Sequence, residues 1–162
     1  MNSNIIIRQA ILSDNKEIAN IIREVLIEFG GNRPGTAYYD LDTDNIFEAY
    51  QEAGQIYYVA ELDHKIIGGC GIKQLTGNNI EICELQKLYL LVEARGFGIG
   101  KLLLEKCLEF AKNALYKKCY LETFPNMHSA INLYLKYGFF KLNSPMGNTG
   151  HNGCDVWMIK DL

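Results

Sequence analysis

Long apolar runs are absent from this sequence: none approaches the ~20 residues that a membrane-spanning helix needs. The opening Met1-Asn2-Ser3-Asn4 also lacks the charged and apolar regions of a secretory signal. Both absences point to a cytoplasmic chain with no membrane partner. A cationic excess is missing too. Sixteen Lys and Arg stand against nineteen Asp and Glu, a formal charge of -3, so no basic face for nucleic acid dominates. The five cysteines, Cys70, Cys83, Cys107, Cys119 and Cys154, are odd in number and never in C-x-x-C spacing, which argues against a disulfide framework and a zinc site. No histidine lies in a partner motif for a cysteine nucleophile, and no metal is expected. Internal repeats and low-complexity tracts are also lacking. What remains is 162 residues, 48% of them hydrophobic, which suits one domain over 1–162 with a core that needs no staple.

The most informative stretch is 86–101, where an apolar strand pattern runs through Arg95-Gly96-Phe97-Gly98-Ile99-Gly100-Lys101 directly into a helical one. Three glycines at alternate positions let a ligand approach the main chain and allow backbone conformations closed to other residues. Ile99, Leu102, Leu103, Cys107, Phe110, Ala111 and Ala114 follow at helical spacing, so the exposed N–H groups fall at a helix N-terminus. Arg95 and Lys101 add full positive charges. Together these residues read as a phosphate cradle. The glycine spacing matches neither G-x-G-x-x-G nor G-x-x-x-x-G-K-[ST], so both of those nucleotide motifs fail.

The order Arg95-x-x-Gly98-x-Gly100 instead resembles the loop with which the GNAT superfamily of N-acetyltransferases binds the pyrophosphate of acetyl-coenzyme A. A second segment, Ala130-Ile131-Asn132-Leu133-Tyr134-Leu135-Lys136-Tyr137-Gly138-Phe139, resembles that family's A-x-x-L-Y-x-K-x-G-F signature. The resemblance, to the small single-domain bacterial type, covers the whole chain in element order, with the two motifs carrying its specificity.

Periodicity places a first strand over 5–8, then a helix opening with Asp14 and Glu17 in capping-box spacing and carrying the stripe Ile18, Ile21, Ile22, Val25 and Phe29. An irregular segment and a short helix over 44–51 follow. Strand patterns over 56–61, 66–75 and 80–91 predict an antiparallel meander. After the Gly-loop helix come a strand over 118–123, a helix over about 128–137, and strands near 139–142 and 155–159. The fold class is α/β, an α+β sandwich with a mixed, mostly antiparallel sheet and helices on both faces. The resemblance implies a cleft where the fourth and fifth strands splay apart.

It also implies a division of labour. Pantetheine would lie beside Leu88, Tyr89 and Leu90, and the pyrophosphate under Arg95, Gly96, Phe97, Gly98, Ile99, Gly100 and Lys101. Relatives carry an asparagine seven residues before the signature tyrosine. Met127 stands there, while Asn126, one residue earlier, is a candidate cofactor contact or a cap of the following helix. An alkylamine with pKa near ~10.4 is protonated at neutral pH, so acetyl transfer to it needs a proton acceptor. Glu84 on the fourth strand is the candidate base, with Glu81 and Glu122 behind it. Strict alternation puts Glu84 on the face of Ile82, Gln86 and Leu88, a phase that a bulge would shift. By resemblance Tyr134 is the donor to the departing thiolate. His128 is expected at the surface of a first helical turn.

Acceptor specificity is expected from two loops, 30–42 and 146–153, with Arg33, Tyr38, Tyr39, Asp40 and His151 as candidate substrate-binding residues. The expected activity is transfer of acetyl from acetyl-coenzyme A to a primary amine of a small molecule in a ternary complex, releasing coenzyme A. Acetylation of a protein N-terminus or lysine is the alternative, and a catalytically silent acyl-coenzyme A sensor or assembly module is the alternative of another class. A homodimer is compatible with the sequence.

Overall fold

The computed structural model describes residues 5–162. Seven strands form one sheet: β1 (Ile5–Gln9), β2 (Ile56–Leu62), β3 (Lys65–Gln74), β4 (Ile82–Leu90), β5 (Lys118–Thr123), β6 (Phe140–Lys141) and β7 (Val156–Asp161). Their spatial order is β1-β2-β3-β4-β5-β7-β6, and every neighbouring pair is antiparallel except β4 and β5. The helices are α1 (Asn15–Glu28), α2 (Ile46–Ala49), α3 (Ile99–Asn113) and α4 (His128–Lys136). The mixed sandwich expected from the sequence is therefore what forms. The short helix over 44–51 contracts to the single turn of α2, preceded by 3-10 turns at Ala37–Tyr39 and Leu41–Asp44. Among the described residues no helix is long and apolar enough to cross a membrane.

The sheet divides two apolar layers. On one face α1 packs Ile18, Ile21, Ile22, Val25 and Leu26 with Val59, Ile66 and Leu91. On the other, α3 and α4 supply Leu103, Leu104, Cys107, Ile131 and Tyr134 against Ile72, Cys83, Leu85 and Leu121. Four of the five cysteines are fully buried in this second layer, and only Cys154 is partly open, consistent with structural thiols. The start of α1 differs from the expected capping box. Asp14 is the cap residue without capping: its carboxylate accepts the Ile11 N–H at 2.8 Å and pairs with Arg8 at 2.7 Å.

Two irregularities of β4 position the site. First, β5 pairs with β4 only at Ile82, Cys83 and Glu84, so from residue 85 onward that edge of β4 has no strand partner. Second, the β3–β4 register slips between Gly69, opposite Tyr89, and Gly71, opposite Gln86. The extra residue falls at Lys87, whose φ of 52° lies in the left-handed region that non-glycine residues avoid. Its carbonyl accepts the buried Tyr57 hydroxyl at 3.0 Å, which pins the bulge. The slip inverts the side-chain phase. Leu88 and Leu90 join Cys83 and Leu85 on the α3 side, while Tyr89 and Leu91 join the α1 side. Strict alternation had put Leu88 with Glu84, and the bulge corrects that.

Candidate active site

The part of β4 beyond the bulge walls a groove of about 480 Å³, lined by Leu88, Tyr89, Leu90, the Gly loop and residues 126–130 of the α4 start. Gly98 is the residue preceding α3 and adopts φ 77°, a left-handed conformation suited to glycine, and Gly96 adopts φ 84°. The first turn of α3 holds no acidic residue to balance its dipole and holds Lys101 instead. A Cβ on Gly100 would stand 3.4 Å from Leu90, an ordinary van der Waals contact.

Arg95 is engaged by the protein itself. Its two Nη atoms each donate to a Glu28 carboxylate oxygen at 2.7 Å, Nε and Nη2 donate to the Leu90 carbonyl at 3.1 and 2.9 Å, and the guanidinium lies over the Phe29 ring. It thus ties the end of β4 to α1. Phe97 is 73% exposed and does not line the groove, unlike its neighbours Gly96, Gly98, Ile99, Gly100 and Lys101. Asn126 lines the groove and its amide donates to the Phe29 carbonyl at 3.2 Å. It does not cap α4, whose cap position is Met127. His128 is exposed at the groove's edge, as expected.

Where β4 and β5 part, a small chamber of about 30 Å³ opens between Leu85, Lys87, Leu88 and Tyr89 of β4 and Glu122, Thr123 and Phe124, with Met127, Tyr134 and Cys154 closing it. Leu88, Tyr89 and Met127 line both spaces, so the chamber is the inner end of the groove. Tyr134 is 5% exposed and lines the chamber. Burial holds that phenol far above its ordinary pKa, so it stays a protonated donor.

Glu84 is 3% exposed and accepts the Gln86 amide at 2.7 Å. Burial drives its carboxyl up to about 7, against the opposing pull of that hydrogen bond. Carboxylate oxygens of Glu84 and Glu122 and a ring nitrogen of His151 all lie within 4.8 Å of one another. The three could converge on a cation, but each already has partners. The Tyr120 hydroxyl and the Thr149 hydroxyl donate to Glu122 at 2.7 and 2.8 Å, and His151 Nε2 meets Asp40 Oδ2 at 2.8 Å. The cluster reads as an acid–base network. Glu81 lies outside β4 and is exposed, away from this cluster.

Asp40 also receives Lys87 Nζ at 2.9 Å, and the Lys87 side chain is almost fully enclosed. Burial works to raise the Asp40 carboxyl, but His151 and Lys87 outweigh it and hold it near about 2. Of the loop residues singled out from the sequence, Asp40 and His151 thus meet although 111 positions apart. Arg33 donates to the Gly153 carbonyl at 2.9 Å and lies over Phe124, tying the two loops together. Tyr38 and Tyr39 pack edge to face, with Tyr39 largely exposed, and neither lines the chamber or the groove. Lys87 and Gln86 were missed by sequence reasoning. A lysine and a glutamine beside Glu84 inside a largely apolar strand run are the available signal, since uncompensated burial of either is costly.

A model of the acetyltransferase (GNAT) family matches residues 18–139. The chain belongs to that family. The GNAT chain is 39% identical over 158 residues to the uncharacterized N-acetyltransferase YjgM of Escherichia coli, covering 97% of this chain and 95% of that protein. It is 32% identical over 136 residues to human N-acetyltransferase 8B, covering 80% of this chain and 57% of the human protein. Among solved structures, a GNAT acetyltransferase from Staphylococcus aureus superposes with a TM-score of 0.83 at 22% identity, covering 98% and 99% of the two chains. The Salmonella typhimurium protein yncA, solved with acetyl-CoA, gives 0.76 at 20% identity over 98% and 94%. With the family comes the class of enzyme: an acetyl-coenzyme A dependent N-acetyltransferase.

Proposed function

We propose that this GNAT enzyme acetylates a primary amine of a small molecule, the acceptor entering the chamber lined by Glu122, whose carboxylate lies within 4.8 Å of that of Glu84, and the acyl donor the groove. The observation that carries the reading is the bulge at Lys87, from which one strand serves both spaces. The groove suits a coenzyme A group: the free edge of β4 offers backbone partners to an extended arm, Leu88, Leu90 and Leu133 offer apolar walls, and the α3 N-terminus with Lys101 offers donors and positive charge to a pyrophosphate. Asn126 and the α4 start close the opposite wall. Arg95 orients the loop through Glu28 and Leu90.

When bound, acetyl-coenzyme A supplies a thioester carbonyl activated toward an amine. The residues supply proton control. An acceptor arriving as an ammonium is drawn to the Glu84 and Glu122 carboxylates, and Glu84, titrating near about 7, takes its proton at neutral pH. Tyr134 stands as a protonated phenol at the inner end of the groove, where it donates to sulfur as the thiolate departs. Alignment of acceptor and donor across the narrow chamber favours direct displacement in a ternary complex. The 146–153 loop folded over the site, with His151 and Thr149 bonded to Asp40 and Glu122, supports a small acceptor over a protein chain.

Thermal unfolding with acetyl-coenzyme A, coenzyme A and NAD in parallel tests the donor assignment. Ligand at ~100 times Kd stabilises by about 2.7 kcal/mol. Stabilisation by both coenzyme A species and not by NAD is expected, and its absence overturns the groove assignment. Thiol release with panels of small amines and of peptides then tests the acceptor. Turnover confined to peptides overturns the small-molecule reading.

A further inference from the structure

We propose that His151, clamped by Asp40, relays the acceptor's proton from Glu84 toward solvent. The inference rests on Glu84 as the first proton acceptor and adds the step that returns it to its starting state. Glu84 is 3% exposed and its one hydrogen bond is to Gln86, so a proton taken from an amine has no direct exit to bulk water. His151 is the one group in the cluster besides the carboxylates that can both accept and release a proton near neutral pH.

The geometry sets the direction. Asp40 is ionised and can only accept, so Nε2 of the neutral imidazole carries the hydrogen in their 2.8 Å contact and Nδ1 is the acceptor. A ring nitrogen lies within 4.8 Å of an oxygen of each carboxylate, so the three groups share one pocket of the fold. The proton passes from the amine nitrogen to a Glu84 oxygen, then to the ring, giving an imidazolium facing Asp40, and then to water, which restores neutral His151 and ionised Glu84. The charged groups facing His151 come from three elements: Asp40 from the loop after α1, Glu84 and Lys87 from β4, and Glu122 from β5. Burial lowers His151, but the Asp40 bond and charge outweigh it and leave the ring above its ordinary pKa, so that it can accept a proton from its neighbours. His151 acts through Glu84 and is a positioning residue.

The test compares methylamine, protonated at neutral pH, with methoxyamine, which is neutral there, as probe acceptors in thiol release by the wild type, His151→Gln and Glu84→Gln. Gln keeps a donor for Asp40 and cannot relay. The expected loss in His151→Gln is at least about tenfold greater with methylamine than with methoxyamine, and added imidazole restores part of it. Equal loss with both amines, or none, overturns the relay. If Glu84→Gln shows no excess loss with methylamine, the base assignment fails, and that outcome is distinct from failure of the relay alone. A readout independent of turnover is the NMR titration of the His151 ring. Its midpoint falls in Glu84→Gln, which removes a carboxylate that faces the ring, and an unmoved midpoint overturns the proposal by showing that the two groups do not communicate.

Discussion

The two halves of β4 show opposite ways of building a binding surface. Beyond the bulge, the free strand edge and the α3 N-terminus present backbone groups, with side chains serving as apolar walls. Before it, the buried Glu84 and half-buried Gln86 act through polar side chains bonded to each other, and at the bulge itself the enclosed Lys87 pairs with Asp40. Backbone recognition tolerates changes of side chain; a buried network does not, because removing one member strands another.

Five substitutions sharpen or break that contrast, and the first is expected to have the largest effect. Glu84→Gln should lower kcat by about 10²- to 10⁴-fold with little change in acetyl-coenzyme A affinity. It also has a signature in stability. The folded carboxyl sits near about 7 against 4.5 when unfolded, so the native state holds a proton that the unfolded chain has released. This group's contribution is full below pH 4.5 and is lost as pH rises through about 7, on the order of 3 kcal/mol. Glu84→Gln should therefore gain more Tm over the wild type at alkaline pH than at acid pH. An equal difference at both removes the buried-acid account.

Lys87→Met should destabilise by about 3 kcal/mol in denaturant titration, because Asp40 loses an enclosed partner. Tyr134→Phe should cost about 10- to 100-fold in kcat and leave cofactor affinity in place, whereas equal loss in both would move Tyr134 from chemistry to binding. Across the bulge the effects shrink. Gly98→Ala meets open space but an unfavourable φ, and should cost about 1 kcal/mol and weaken acetyl-coenzyme A binding. Leu90→Met should cost less than ~1.5 kcal/mol and leave kcat unchanged, since this residue lends the groove its backbone and an apolar wall. A large kcat effect there would break the division between the two halves.

Elements with a clear period were legible in the sequence. β5 occupies the expected 118–123, and α4 differs from expectation by one residue at its end. The Gly loop and the signature helix were legible because their motifs are contiguous. The phase of β4 was not. A bulge inserts one residue without altering composition, and Lys87 gives no local sign of a left-handed φ. Asp40 and His151 were each visible as loop groups, but their pairing depends on a fold that brings distant segments together. The expected caps failed for a similar reason, since Asp14 and Asn126 found tertiary partners stronger than the local ones.

The thiol distribution carries a practical consequence. Four cysteines are sealed in the core, while Cys154 stands in the chamber wall beside Tyr134 and Glu122, its thiol pushed up to about 12 by burial. Native alkylation is thus confined to one slow-reacting position at the inner end of the donor groove. The molecule carries its own occupancy gauge: protection of Cys154 by acyl donor, read by intact mass, would report filling of the site without any acceptor being known.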